Sequence, residues 1–118
     1  MSYAAPQKYH IKVRLYNEEI AFGKGIAQIL ELVELHGSLA AAYKEMGMSS
    51  SKAWKIIQRA EADLGFPLLK SVSGGANGGG TEVTPEGKEL LEKYRQFEAQ
   101  VQECAAKAFA SIFRDKVQ

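Results

Sequence analysis

The stretch GSLAAAYKEMGMSSSKAWKIIQRAEADLG, from Gly37 to Gly65, decides the fold. Three glycines punctuate it, and glycine readily takes the left-handed conformation that closes a helix. Ser38 is placed to cap a short helix whose body is Leu39 to Met46, rich in alanine and therefore open to close approach by a neighbour. Gly47 stops that helix, and Met48 is a lone apolar plug in the turn. Ser49, Ser50 and Ser51 then offer capping hydroxyls for a further helix running to about Leu64. Its inner face carries Ala53, Ile57, Ala60 and Leu64 at helical spacing, with Trp54 and Ile56 flanking them. Lys52, Lys55 and Arg59 fall on the other side, Lys55 and Arg59 one turn apart. A tryptophan among apolar neighbours is more often core than a base-stacking platform, so Trp54 is assigned to the core.

Working outward, Ile26, Ile29, Leu30 and Val33 mark an amphipathic helix that ends at Gly37. Before it, Tyr9, Ile11, Val13 and Leu15 alternate with His10, Lys12, Arg14 and Tyr16, the period of a half-buried strand. Asn17-Glu18-Glu19 supplies a turn, and Ile20-Ala21-Phe22 returns, which predicts an N-terminal β-hairpin. Downstream, Pro67 to Val72 is extended in character, Ser73 to Gly80 is glycine-rich, and Thr81 to Thr84 is a return strand. Thr84 caps, and Pro85 starts, a final helix reaching about Arg114, roughly 43 Å at 1.5 Å per residue.

The order helix, helix, turn, helix, hairpin predicts a mainly α chain with small β-hairpins: a winged helix-turn-helix with a long C-terminal dimerisation helix. The second helix of such a pair lies in the major groove and meets base edges with its N-terminal residues. Ser49, Ser50, Ser51 and Lys52 stand at that end, and Lys55 and Arg59 follow on the same exposed side. Lys70, Ser73 and Asn77 belong to the wing, whose glycine backbone can approach a DNA strand closely. Double-stranded DNA is the expected partner. The run GGANGGG is not a nucleotide-binding loop, because it leads into a strand and lacks a following Gly-Lys-Ser/Thr.

Composition sets the outer bounds. At 118 residues the chain makes one domain, with 46% hydrophobic and 25% charged residues. The net charge of +1 hides a split. Residues 1–81 hold nine Lys/Arg against seven Asp/Glu, whereas residues 82–118 hold six against seven. For phosphate binding one positive face matters more than a positive total. No apolar stretch approaches the ~20 residues of a membrane span, and the N-terminus has no secretion signal, so no membrane partner is expected. Cys104 is the only cysteine, as suits a reducing cytoplasm, and with two histidines it makes a zinc site improbable. No metal, cofactor or catalytic residue is expected: the acidic side chains are scattered over exposed faces with no pair fit for acid/base work.

Leu90, Tyr94, Phe97, Val101, Cys104 and Ala108 are spaced 4, 3, 4, 3, 4, the seam of a coiled coil. Leu91, Ala105, Phe109, Ile112 and Phe113 broaden the apolar surface. A helix so long cannot bury all of this against one small domain, so a homodimer is expected. Residues 1–84 would form the hairpin and DNA-binding part, and residues 85–118 the dimerisation helix of the same compact unit. The competing function is a winged-helix protein-interaction module that no longer binds DNA.

The segment from about Gly25 to Tyr94 resembles the DNA-binding domain of ModE-type molybdate-responsive regulators, itself a relative of the LysR-type winged helix. The alanine-rich helix, Ala53-Trp54, the glycine-rich wing and Thr84-Pro85-x-Gly87 carry the resemblance in this order. It implies a dimeric regulator that recognises DNA through the helix from Ser50 and pairs through its C-terminal helix. Full-type ModE proteins continue into molybdate-binding domains, whereas these residues stop at Gln118. Molybdate sensing is therefore not expected within this chain.

Overall fold

The computed structural model describes residues 5–73 and 80–114. Four helices and one antiparallel strand pair follow in chain order: α1 (Lys24–His36), α2 (Leu39–Glu45), α3 (Ser50–Leu64), β1 (Leu69–Val72), β2 (Gly80–Val83) and α4 (Pro85–Phe113). The helix ends obey the sequence. Gly37 and Gly65 close α1 and α3 with φ of 70° and 87°, and the hydroxyls of Ser38, Ser49 and Thr84 accept from the amides of Ala41, Lys52 and Gly87. Each such cap is worth about 1 kcal/mol.

One core serves all of these elements. Ile26, Ile29, Leu30 and Val33 of α1 meet Leu39 and Ala42 of α2, Ile57 and Ala60 of α3, Leu68, Leu69 and Val83 of the hairpin, and Leu91 and Tyr94 of α4. Phe22 and Tyr94, both almost wholly buried, pack edge to face with ring centroids 5.2 Å apart.

The N-terminal β-hairpin expected from the alternation is not formed. Leu15 and Phe22 share a single bridge, and no longer ladder follows. The alternation holds from His10 to Tyr16, since Ile11, Val13 and Leu15 are half-buried while His10, Lys12, Arg14 and Tyr16 are exposed; Tyr9, expected to face inward, is 41% exposed. Two of the carbonyls that a ladder would use are bonded elsewhere. The Tyr94 hydroxyl donates to the Val13 carbonyl at 3.2 Å, and Gln102 Nε2 donates to the Ile11 carbonyl at 3.3 Å. With Tyr9 against Phe109 at a 4.9 Å centroid distance, the arm lies antiparallel along α4. A strand's alternation is thus satisfied by a helix.

The β1–β2 hairpin pairs Leu69 with Val83 and Val72 with Gly80. It is clamped at both ends. At one end the Thr81 amide donates to the Gly37 carbonyl at 2.9 Å, which brings Gly80 so close that a Cβ there would lie 2.6 Å from that oxygen. At the other, Thr84 Oγ1 donates to the Pro67 carbonyl at 2.6 Å, and a Cβ on Gly87 would sit 2.9 Å from the Leu68 carbonyl oxygen. Neither oxygen belongs to a flexible side chain, so the backbone itself would have to move. Gly80→Ala and Gly87→Ala should each cost about 1–3 kcal/mol, the range of overpacked interiors. Gly25→Ala, where the added Cβ meets nothing within 4 Å, should be neutral or stabilise by up to about 1 kcal/mol. Urea denaturation of the three variants checks the contrast.

Candidate nucleic-acid interface

α2, the turn from Met46 to Ser49 and α3 form the helix-turn-helix. Gly47 makes the turn with φ of 68°, and the Met48 amide donates to the Tyr43 carbonyl at 2.8 Å while its side chain packs on the core. α3 turns Ala53, Ile57 and Ala60 fully inward. At 100° per residue that burial aims Ser51, Lys55 and Arg59 into solvent, with Lys52 beside them. Lys52, Lys55, Gln58 and Arg59, with Ile56, line a shallow groove on this outer side. None of Lys52, Lys55 and Arg59 forms an ion pair among the described residues. Three cations thus share one exposed helical face without a carboxylate partner among the described residues.

The remaining expected contacts divide. Ser49 spends its hydroxyl on the cap, 3.1 Å from the Lys52 amide, whereas Ser50 and Ser51 are exposed with hydroxyls free for a ligand. Lys70 is exposed on β1 but faces Glu82 across the ladder at 3.7 Å, so its charge is partly neutralised, unlike those of the α3 cations. Ser73 is exposed at the end of β1, and Asn77 lies outside the described residues.

Trp54 is not a core residue: it is 47% exposed, because the helix turns it about 100° from Ala53 and away from the buried stripe. Gln58, which the sequence reading passed over, lies one turn beyond it on the outer surface. Its signal was the spacing of seven from Ser51, two turns along the same face.

The acidic residues of α3 are not mere solvated charges either. Glu61 Oε2 accepts from the amides of Leu68 and Leu69 at 2.7 and 3.3 Å, tying α3 to the start of the wing. Asp63 accepts from the amides of Asn17, Glu18 and Glu19 at 2.7 to 2.9 Å, and its own carbonyl accepts from Asn17 Nδ2 at 2.9 Å. These carboxylates fix α3 to both flanking segments.

The expected dimer seam is also revised. Tyr94 is 1% exposed and fills the protomer's own core, and Leu90 packs against that core half-buried. The reason is position: this part of α4 still overlies the domain, so its seam faces α1 and Phe22. Further along, Phe97 is 51% exposed, Val101 half-buried, and Cys104 and Ala108 exposed. Ile112 and Phe113 near the helix end are exposed as well.

Comparison with known proteins settles the class of this arrangement. Residues 27–88, more than half of the chain, match the model of bacterial regulatory helix-turn-helix proteins of the lysR family. The chain belongs to the lysR family. Its ModE-like sequence features reflect homology: it is 36% identical over 73 residues to the molybdenum-pterin-binding protein MopB of Rhodobacter capsulatus, covering 62% of this chain and 27% of MopB. It is 35% identical over 75 residues to the molybdenum transport protein ModE of Azotobacter vinelandii, covering 64% of this chain and 28% of ModE. The chain thus spans about a quarter of the length of the curated relatives it matches. Among solved structures, this lysR-family chain resembles the CbnR DNA-binding domain in its complex with DNA, at a TM-score of 0.54 and 27% identity. That match covers 72% of this chain and 92% of the other. The full-length LysR-family transcriptional regulator CbnR matches at a TM-score of 0.53 and 26% identity, over 74% of this chain and 29% of CbnR. Family and fold place the matched region among the DNA-binding domains of transcription regulators, not among enzymes. No helix among the described residues is long and apolar enough to cross a membrane.

The Asp63 carboxylate carries a pH signature. The Asn17 amide is the largest influence holding its pKa below the ordinary value; loss of water opposes it, and the Glu18 and Glu19 amides reinforce it. A carboxylate whose pKa is depressed by folding contributes fully above its unfolded value of about 3.9 and loses that contribution as pH falls through the lower folded value. The protection factors of the amides at residues 17–19, the intrinsic exchange rate divided by the observed rate at each pH, should therefore be high near neutrality and decline as pH falls below about 4. In Asp63→Ala they should be low throughout. Protection that is unchanged in the variant would contradict the assignment.

Proposed function

We propose that this protein is a sequence-specific, dimeric transcription regulator that sets α3 in the major groove of duplex DNA and lays its wing on the adjacent backbone. The observation that carries the reading is the row of cations on the outer side of α3, the second helix of the helix-turn-helix, none of them ion-paired among the described residues. Ser50 and Ser51, at the N-terminal end of α3, are the groups that first reach base edges, and Lys52, Lys55 and Arg59 take phosphates. The likeness to a CbnR domain bound to DNA supports this placement.

Pairing falls to the outer part of α4. Phe97, Val101, Cys104 and Ala108 keep the 4, 3, 4 spacing of a seam, with Val101 half-buried and the other three left exposed by the protomer's own fold. A two-fold pair would bury them self-complementarily and present two recognition helices to two half-sites. Such a regulator works in the cytoplasm, where bacterial DNA lies. The names of the relatives refer to molybdenum, but the aligned stretch is a quarter of their length, and the proposal for this chain is confined to DNA.

Two measurements test it. With three free cations per protomer, the logarithm of the binding constant should fall against the logarithm of salt concentration with a slope of about −3 per protomer. Lys55→Ala should reduce that slope by about 1 while weakening all sequences alike, and affinity indifferent to salt would contradict the reading. Phe97→Ala should weaken pairing by about 2 kcal/mol or more per protomer, as truncation of a buried aromatic anchor does, while leaving the fold intact. Sedimentation velocity at low micromolar concentration reads the shift toward monomer.

A further inference from the structure

The i, i+4 rows of α3 divide its exposed surface into two parallel strips. Ser51, Lys55 and Arg59 form one strip. Ser50, Trp54 and Gln58 form the strip beside it. Trp54 is the conspicuous member: nearly half of its surface is open, although Ala53 and Ile57 on the same two turns are wholly buried. It stacks on no other ring among the described residues. An indole held in water by a rigid helix, on a surface otherwise polar, is a ready contact for an apolar group on a partner.

The neighbours specify that partner. Lys55 and Arg59, in the strip beside the indole, pair with no anion among the described residues. The ligand must therefore be anionic along one line and bear an apolar group a few ångströms inside that line. Duplex DNA has this layout in its major groove, where phosphates form the rim and the C5-methyl of thymine is the apolar group on the base edges.

We propose that Trp54 is a specificity-determining residue that covers the C5-methyl of a thymine in each half-site, while the adjacent cationic strip holds the phosphates. The inference rests on the DNA-binding reading above and adds which base α3 selects and through what chemistry. Ser50 and Gln58, one turn to either side of Trp54, supply hydroxyl and amide groups for neighbouring base edges.

Uracil scanning tests it on the intact protein. A duplex recovered by selection from random sequence is remade with each thymine replaced singly by deoxyuridine, which removes the methyl group and keeps the base pair. At one thymine per half-site or more, wild-type binding should weaken about fourfold, the value of one buried methyl group. That penalty should vanish in Trp54→Ala and persist in Lys55→Ala, whose loss is phosphate contact. Thermal denaturation by circular dichroism verifies that Trp54→Ala is folded, as expected for an exposed side chain. A uracil penalty of equal size in wild type and Trp54→Ala would overturn the proposal, as would a wild-type protein that binds the duplex and senses no thymine methyl. Failure of the wild type to bind any duplex would instead strike the DNA-binding reading itself.

Discussion

The inward burial of Ala53, Ile57 and Ala60 is the constraint on which the rest depends. A helix is rigid, so locking three residues of one stripe fixes the direction of all the others. Lys55 and Arg59 are then aimed into solvent and form no ion pair among the described residues. The small side chains at 53 and 60 let the core close around α3 without bulk, and Ile57 supplies most of the apolar area. Charge and packing are set by one rotation of one helix.

Around that helix the fold spends its polar contacts on position. Glu61 holds the first residues of the hairpin, Asp63 holds the turn at 17–19, and Ser49 and Gly65 fix the two ends. The hairpin is clamped independently, by Gly80 against Gly37 and by Thr84 and Gly87 against Pro67 and Leu68. The base of the wing and the recognition helix are therefore two rigid parts referred to the same core. A surface that must match the spacing of phosphates on a duplex needs this kind of preorganisation, because each misplaced contact loses its share of affinity.

Much of this was legible in the sequence, and the exceptions have physical causes. Helix ends were readable because glycine and serine act locally, within one turn of the residue concerned. The inner face of α3 was readable because its period is set by helix geometry alone. Trp54 departs from the expected burial because apolarity alone does not place a side chain, and its angle on the wheel lies beside the buried stripe. The N-terminal alternation correctly marked Ile11, Val13 and Leu15 as facing inward, yet nothing local says whether a strand or a helix receives them. That partner, α4, is more than eighty residues away in sequence. Tyr94 was read as part of a seam for the same reason: spacing along α4 describes a stripe, and only the tertiary fold decides where one stripe passes from the protomer's own core to an outside surface. The roles of Glu61 and Asp63 depend on amides brought near by folding, which no spacing rule reveals.

The central claim is that α3, not α4 or the N-terminal arm, meets DNA. Nitrogen-15 labelled protein titrated with a selected duplex and followed by amide chemical shifts tests it most directly. The account predicts the largest changes from Ser50 to Arg59, smaller ones in β1 and β2, and little change along the arm at residues 9–13 or the outer half of α4. Changes concentrated on the arm and the outer part of α4, with α3 silent, would contradict it.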